Sequence, residues 1–256
     1  MLGLGLHSAK SSFASATKSF LPAENTVAWY NEQSISSFSL FQYPDTILDM
    51  SGNGYHLEQP DATKRPQVYP VSVLKGLLFT NDTLFESNHP VLRGNTNFTI
   101  MYAGGNFQQY HTAIYIGDDD VPDNTSSFRL GKTSSAPHRL RGIVGDNANG
   151  AHDTNIPFRF NGFKDIVYAY KNGTDSSDIH LGMDNGAVIT DEQFSISGLD
   201  LSFGDGIGIG TNNPDDPSLT GTGSGWYIYE ILIYDRMLTE DEFESTRKYL
   251  RKKWNV

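Results

Sequence analysis

Hydrophobic and polar positions follow two different periods along this chain, and the switch between them is sharpest near residue 235. From Trp226 to Tyr234 nearly every residue is aromatic or β-branched. Trp226, Ile228, Leu232 and Tyr234 fall on one alternating face, and Tyr227, Tyr229, Ile231 and Ile233 on the other. A strand covered on both sides reads that way. Glu230 is the single charge in the run, and it is expected to be a structural carboxylate paired at a sheet rim or with Arg236, not a catalytic one. After Arg236 the period becomes helical. Thr239 and Glu242 stand at the two positions of a capping box, and Leu238 and Phe243 at those of a hydrophobic staple. Acidic residues 240–242 fill the first turn and basic residues 251–253 the last, as the helix dipole favours. Phe243, Leu250 and Trp254 form a narrow apolar stripe that predicts docking on the body of the protein.

Upstream, short period-two segments alternate with turn residues. Phe98, Ile100 and Tyr102 alternate with Thr99, Met101 and Ala103, and the pattern returns at Thr112 to Ile116 and at Ile166 to Tyr170. Leu74 to Phe79, Phe128 to Leu130, Leu140 to Val144, Ile179 to Met183, Ala187 to Thr190, Phe194 to Ser197 and Gly206 to Gly210 read as further short strands. Gly145 to Asn155 reads as a long polar loop. Lys171-Asn172-Gly173 and Asp184-Asn185-Gly186 are hairpin signals, and Gly52 and Gly54 supply positive-φ positions in the turn from Asp49 to Tyr55. Many short strands divided by turns predict an all-β sandwich with helix confined mainly to the C-terminus.

The closing segment, with Gly225, Trp226, Glu230, Tyr234, Asp235, Arg236, Leu238, Thr239, Tyr249, Leu250, Lys253 and Trp254, resembles the last strand and helix of concanavalin A-like, laminin-G-like jelly-roll domains. VAWYNEQSIS and LDMSGNGYHLEQ, residues 27–36 and 48–59, resemble the opening of the same family: a Trp-bearing first strand, then Asp, Ser-Gly-Asn-Gly and an apolar return. The resemblance implies one concanavalin A-like jelly roll over residues 25–256, preceded by an arm over residues 1–24. Domains of this kind bind sugars, bind proteins or fill space in larger assemblies.

Composition narrows the partners. Among 256 residues there are 25 Gly and 11 Pro, and 38% are hydrophobic, enough for a packed core with many turns. A formal charge of -11 repels a phosphate backbone, so no nucleic acid is expected. The absence of cysteine removes disulfides and thiolate metal sites. No apolar run has the length of a membrane span, and the start is not read as a secretion signal. Asn-x-Ser/Thr triplets at Asn81, Asn97, Asn124 and Asn172 are accordingly read as chance.

Catalytic patterns are missing. The glucanase branch of the resembling family carries Glu-x-Asp-x-Glu on one strand, and no strand here has it. The histidines show no zinc-binding spacing, and neither a Gly-x-Ser-x-Gly elbow nor a phosphate-binding loop occurs. Binding residues have more support. Phe107, Gln109, Tyr110 and His111 cluster before one strand, offering rings for a sugar face and polar groups for its hydroxyls; a loop covering a sandwich edge would carry the same residues. Asp118, Asp119, Asp120 and Asp123 place hard oxygen ligands in one loop, either a calcium site or a solvated acidic turn.

The expected role is a non-catalytic structural or adhesion subunit with a lectin-like domain. Met1, Leu2, Leu4 and Leu6 make residues 1–24 either a flexible tail or an assembly arm. With the resemblance, the arm points to a virion subunit such as a phage tail, fibre or capsid-surface protein. It would join other virion subunits or copies of itself and bind a surface glycan. A stand-alone extracellular carbohydrate-binding protein and a glycoside hydrolase are the alternatives.

Overall fold

A computed structural model describes residues 22, 25–80, 85–87, 89–92, 97–105, 112–117, 127–133, 139–144, 151–157, 164–171, 179–194, 206–210 and 226–256. The strands run in chain order as β1 (Ala28–Tyr30), β2 (Thr46–Ile47), β3 (Leu57–Glu58), β4 (Gln67–Val71), β5 (Leu74–Phe79) and β6 (Phe85–Ser87). Next come β7 (Phe98–Gly105), β8 (Thr112–Gly117), β9 (Ser127–Lys132), β10 (Arg139–Val144) and β11 (Ala151–Pro157). The last are β12 (Lys164–Lys171), β13 (Ile179–Asp184), β14 (Ile189–Phe194), β15 (Gly206–Ile209) and β16 (Trp226–Tyr234), followed by helix α1 (Glu240–Trp254).

Two antiparallel sheets form. The first has the order β14-β13-β12-β7-β16-β5-β4, with β1 also on β16; the second has β11-β10-β9-β8-β15-β6-β3-β2. Phe98, Ile100, Tyr102, Val167, Leu181 and Trp226 from one sheet and Ile114, Ile116, Phe128, Leu130 and Ile207 from the other share the core between them. The outer face of the first sheet carries a second core, where Met101, Ile166, Tyr168, Tyr229, Leu232 and Tyr234 meet Leu250 and Trp254 of α1. The chain is therefore the all-β jelly-roll sandwich with a C-terminal helix that the sequence predicts.

Local chemistry sets the helix limits. Thr239 Oγ1 accepts from Glu242 N–H while the Glu242 carboxylate accepts from Thr239 N–H, and Asn255 ends the helix in the left-handed conformation. Leu238, Leu250 and Trp254 are all but fully buried, each worth roughly 1.5–3 kcal/mol of apolar transfer.

The structure revises three expectations. Strict alternation through β16 fails because its register against β7 shifts between Ile228 and Glu230. Tyr229 and Glu230 thus both face the helix, leaving Trp226, Ile228, Ile231 and Ile233 in the inter-sheet core and Leu232 and Tyr234 outside it. The extra residue is tolerated because Gly104 lies opposite. A Cβ there would sit 2.5 Å from the Tyr227 carbonyl oxygen. Glu230 is neither at a rim nor paired with Arg236, whose guanidinium donates to both oxygens of Glu242 at 2.6 and 2.9 Å. Part of the segment read as a polar loop is strand β11, with Thr154 and Ile156 buried and its backbone paired to β10. Its one strongly apolar residue, Ile156, is too weak a signal to reveal it.

Candidate functional site

Sequence-predicted residues Phe107, Gln109, Tyr110 and His111, and the acidic set Asp118, Asp119, Asp120 and Asp123, lie outside the described residues. In the chain they flank β8 on either side, and β8 sits in the interior of the second sheet between β9 and β15. Among the described residues no three His, Asp or Glu side chains gather as metal ligands.

A groove of about 310 Å³ opens elsewhere, where the start of α1 crosses the outer face of β12 and β14. Tyr168, Tyr170 and Phe243 supply its rings, and Asp191, Glu240 and Glu244 its carboxylates. Tyr168 and Tyr170 are two apart on β12, so both point outward, their rings nearly parallel with centroids 6.4 Å apart. Phe243 meets Tyr168 edge-on at 4.9 Å and Tyr170 at 5.9 Å. His180 stacks behind Tyr170 at 4.5 Å, and its Nδ1 lies 2.8 Å from Asp191 Oδ1. Gly182, opposite Tyr168 on β13, leaves room for that ring; a Cβ would lie 2.0 Å from it. The hydroxyl of Tyr168 donates to Thr190 O at 3.2 Å. Burial, with Asp191 adding to it, pushes the Tyr170 hydroxyl up to about 12, so it remains a neutral donor.

Two carboxylates of α1, Glu244 and Glu242, are poor proton donors. A hydrogen bond from Arg247 holds Glu244 below the usual carboxylate range. Arg247 donates to both Glu244 oxygens, at 3.0 and 2.6 Å, and also to buried Asp184. Hydrogen bonds from Arg236, then Thr239, pull Glu242 down to about 2. A glycosidase acid needs the opposite shift. What the groove offers is two partly buried rings, Tyr170 and Phe243, set against the buried Tyr168, with hydrogen-bond acceptors along the edge, an arrangement that suits an amphipathic face.

The turn linking β1 to the sheets is built around Asp49. Its carboxylate accepts from the N–H groups of Trp29, Ser51 and Tyr55 at 3.0, 2.9 and 3.1 Å and from the Ser51 hydroxyl at 2.7 Å. Asn53 donates to Val27 O at 2.9 Å. Gly52 and Gly54 adopt φ of 91° and 79°, which a side chain would resist. This segment is a structural clasp that holds the first strand.

No family model matches the chain, and no curated protein matches it either. Solved structures do. An α-L-arabinofuranosidase of family GH54 soaked with a cyclic sulfate inhibitor superposes with a TM-score of 0.55 at 14% identity, covering 88% of this chain and 62% of that one. Trypanosoma rangeli sialidase in complex with sialic acid gives 0.57 at 12%, covering 90% and 33%. The binding domain of botulinum neurotoxin DC in complex with SialylT gives 0.52 at 14%, covering 90% and 52%. The chain thus spans between a third and two thirds of these proteins. At such identities the likeness is one of fold, the all-β sandwich.

Proposed function

We propose that this chain is a non-catalytic glycan-binding domain and that the groove on Tyr168, Tyr170 and Phe243 receives the sugar. The observation that carries this reading is the groove itself, where the partly buried rings of Tyr170 and Phe243 pack beside the buried ring of Tyr168, with Asp191 and Glu240 as acceptors for hydroxyls. Against an enzyme at this groove stands the commitment of Glu244, one of its carboxylates, to Arg247, which donates to both its oxygens. A glycan array on the full chain, followed by calorimetry of the hits with Tyr170→Ala and Phe243→Ala, tests it. Binding lost in both variants supports the groove. Binding unchanged in both, or no glycan bound, overturns it, and glycan turnover would return the enzyme reading.

The setting is read from the sequence. Apolar residues at the start of the chain support an arm over residues 1–24 that joins other virion subunits or further copies of the chain. Asp118, Asp119, Asp120 and Asp123 support a calcium ion held by their carboxylates. Light scattering of the full chain and of a chain lacking residues 1–21, each with and without calcium, tests both. That deletion spares Pro22, whose carbonyl accepts from the Tyr234 hydroxyl at 2.6 Å. An assembly that survives the deletion removes the arm, and identical behaviour in calcium and chelator removes the metal.

A further inference from the structure

Two arginines of this acidic chain are buried to nearly the same degree, and among the described residues only one has carboxylate partners. Arg247, 7% exposed, is held by Asp184 and Glu244. Arg129, 6% exposed, sits on β9 between Phe128 and Leu130, which both enter the inter-sheet core, so its side chain leaves the opposite face of the second sheet. Its Nε is buried with no hydrogen-bond partner. Among the described residues no Asp or Glu pairs with its guanidinium, and its one neighbour of note is the ring of Tyr115, which stands opposite it on β8 with the guanidinium 5.3 Å from the centroid. A ring face returns only a small part of what a guanidinium loses on leaving water. The position therefore has the electrostatics of a site waiting for an anion.

Its surroundings fit one. Towards β15 the outward positions beside Tyr115 and Arg129 are glycine, Gly117 on β8 and Gly206 and Gly208 on β15, so bare backbone lies on that side, while Ile143 is the position opposite Arg129 on β10. Arg141, one outward position further along β10, pairs with Gly131 across the strands, and its Nε forms an ion pair with Asp153 at 2.7 Å. Two guanidinium groups thus lie on one face. The geometry points to Arg129, backed by Tyr115 and flanked by Arg141, as a receptor for the carboxylate of an acidic sugar, on the opposite sheet from the groove and independent of it. A planar carboxylate matches the fork of a guanidinium, and a single small oxyanion suits a setting this enclosed.

The test is calorimetry and thermal unfolding of the full chain with glucuronate, acetate, glucose 6-sulfate and glucose. Glucuronate and acetate are expected to bind and raise Tm with concentration, and glucose to do neither at this site. Arg129→Met is expected to abolish the carboxylate response while leaving Tm without ligand equal to or above that of the wild type, since it removes an unpaired buried charge. Arg129→Lys, which keeps the charge and loses the fork, is expected to weaken glucuronate by about tenfold. A wild type indifferent to both carboxylates, a response to the sulfate sugar alone, or a carboxylate response that survives in Arg129→Met or in Arg129→Lys at full strength overturns the assignment. Loss of binding in the groove variants Tyr170→Ala and Phe243→Ala with the carboxylate response intact would confirm that the two sites are separate.

Discussion

Trp29 and Trp254 donate their indole N–H groups to opposite oxygens of one carboxylate, Glu230, each at 2.7 Å. Tyr249 donates its hydroxyl to the same group at 2.8 Å, and Lys253 Nζ lies 2.9 Å from it and 2.8 Å from Glu32. A fully buried charge thus joins the first strand, the last strand and the last two turns of the helix. Burial pulls the Lys253 ammonium down, but Glu230, Glu32 and the Tyr249 hydroxyl more than reverse this and hold it above the ordinary lysine range. Burial, with Glu230 adding to it, pushes the Tyr249 hydroxyl up, so it stays a donor.

Replacing Glu230 by Gln keeps the shape and puts an amide N–H₂ where donors already point. The expected cost is about 3–5 kcal/mol, because Lys253 loses a buried partner and one acceptor oxygen is gone. Urea unfolding of Glu230→Gln checks it. Adding Lys253→Met to the same chain is expected to recover part of the loss, and no recovery would mean that the charge pair is not what the position needs.

Buried Asp184 receives Arg247 and also accepts Gly186 N–H at 2.8 Å, while Arg251 donates to Gly186 O at 2.8 Å. Helix and hairpin turn are therefore one electrostatic unit. Asp184→Asn is expected to lower stability by about 3–5 kcal/mol, and the double change Asp184→Leu with Arg247→Met to be far milder. A double-mutant cycle by chemical denaturation measures the coupling.

Acid should act on the helix start. The folded Glu242 carboxyl titrates near 2 against an ordinary value of 4.5, so its contribution is full above pH 4.5 and is lost as pH falls toward 2. Glu242→Gln keeps an acceptor for the capping box but removes the charge that pairs with Arg236, so that contribution is gone at every pH, at a cost of up to about 1 kcal/mol near neutrality. Its stability curve between pH 5 and 2 is expected to be flatter than that of the wild type. Parallel curves would contradict the sign.

Gly182→Ala would drive a methyl into the Tyr168 ring. The expected outcome is a loss of about 1–3 kcal/mol of stability together with weaker glycan binding, as the ring leaves the groove wall. Denaturation and calorimetry on the same variant separate the two effects.

How much of this the sequence carries depends on the range of the interaction involved. The capping box at Thr239, the hairpin at Asp184-Asn185-Gly186 and the Gly52 and Gly54 turn are legible because each is decided within a few residues by backbone geometry. Strand β16 is legible as a buried strand, since both its faces are apolar. Its face assignment is not, because one extra residue opposite Gly104 inverts the alternation, and only strand pairing reveals a bulge. The ring platform left a trace in Tyr168-x-Tyr170, yet nothing local says that Phe243 of the helix completes it. Arg129 reads as an ordinary polar residue of a strand until the burial of its neighbours shows which way it points. Sequence alone determined the all-β class, the closing helix and the acidic surface, because propensity, capping and net charge are properties of short segments or of simple sums. Tertiary structure alone decided what Glu230 binds, where the groove opens and which buried arginine has no carboxylate partner among the described residues. Those depend on side chains brought together across sheets, and pairing register, which local pattern does not encode, sets who meets whom.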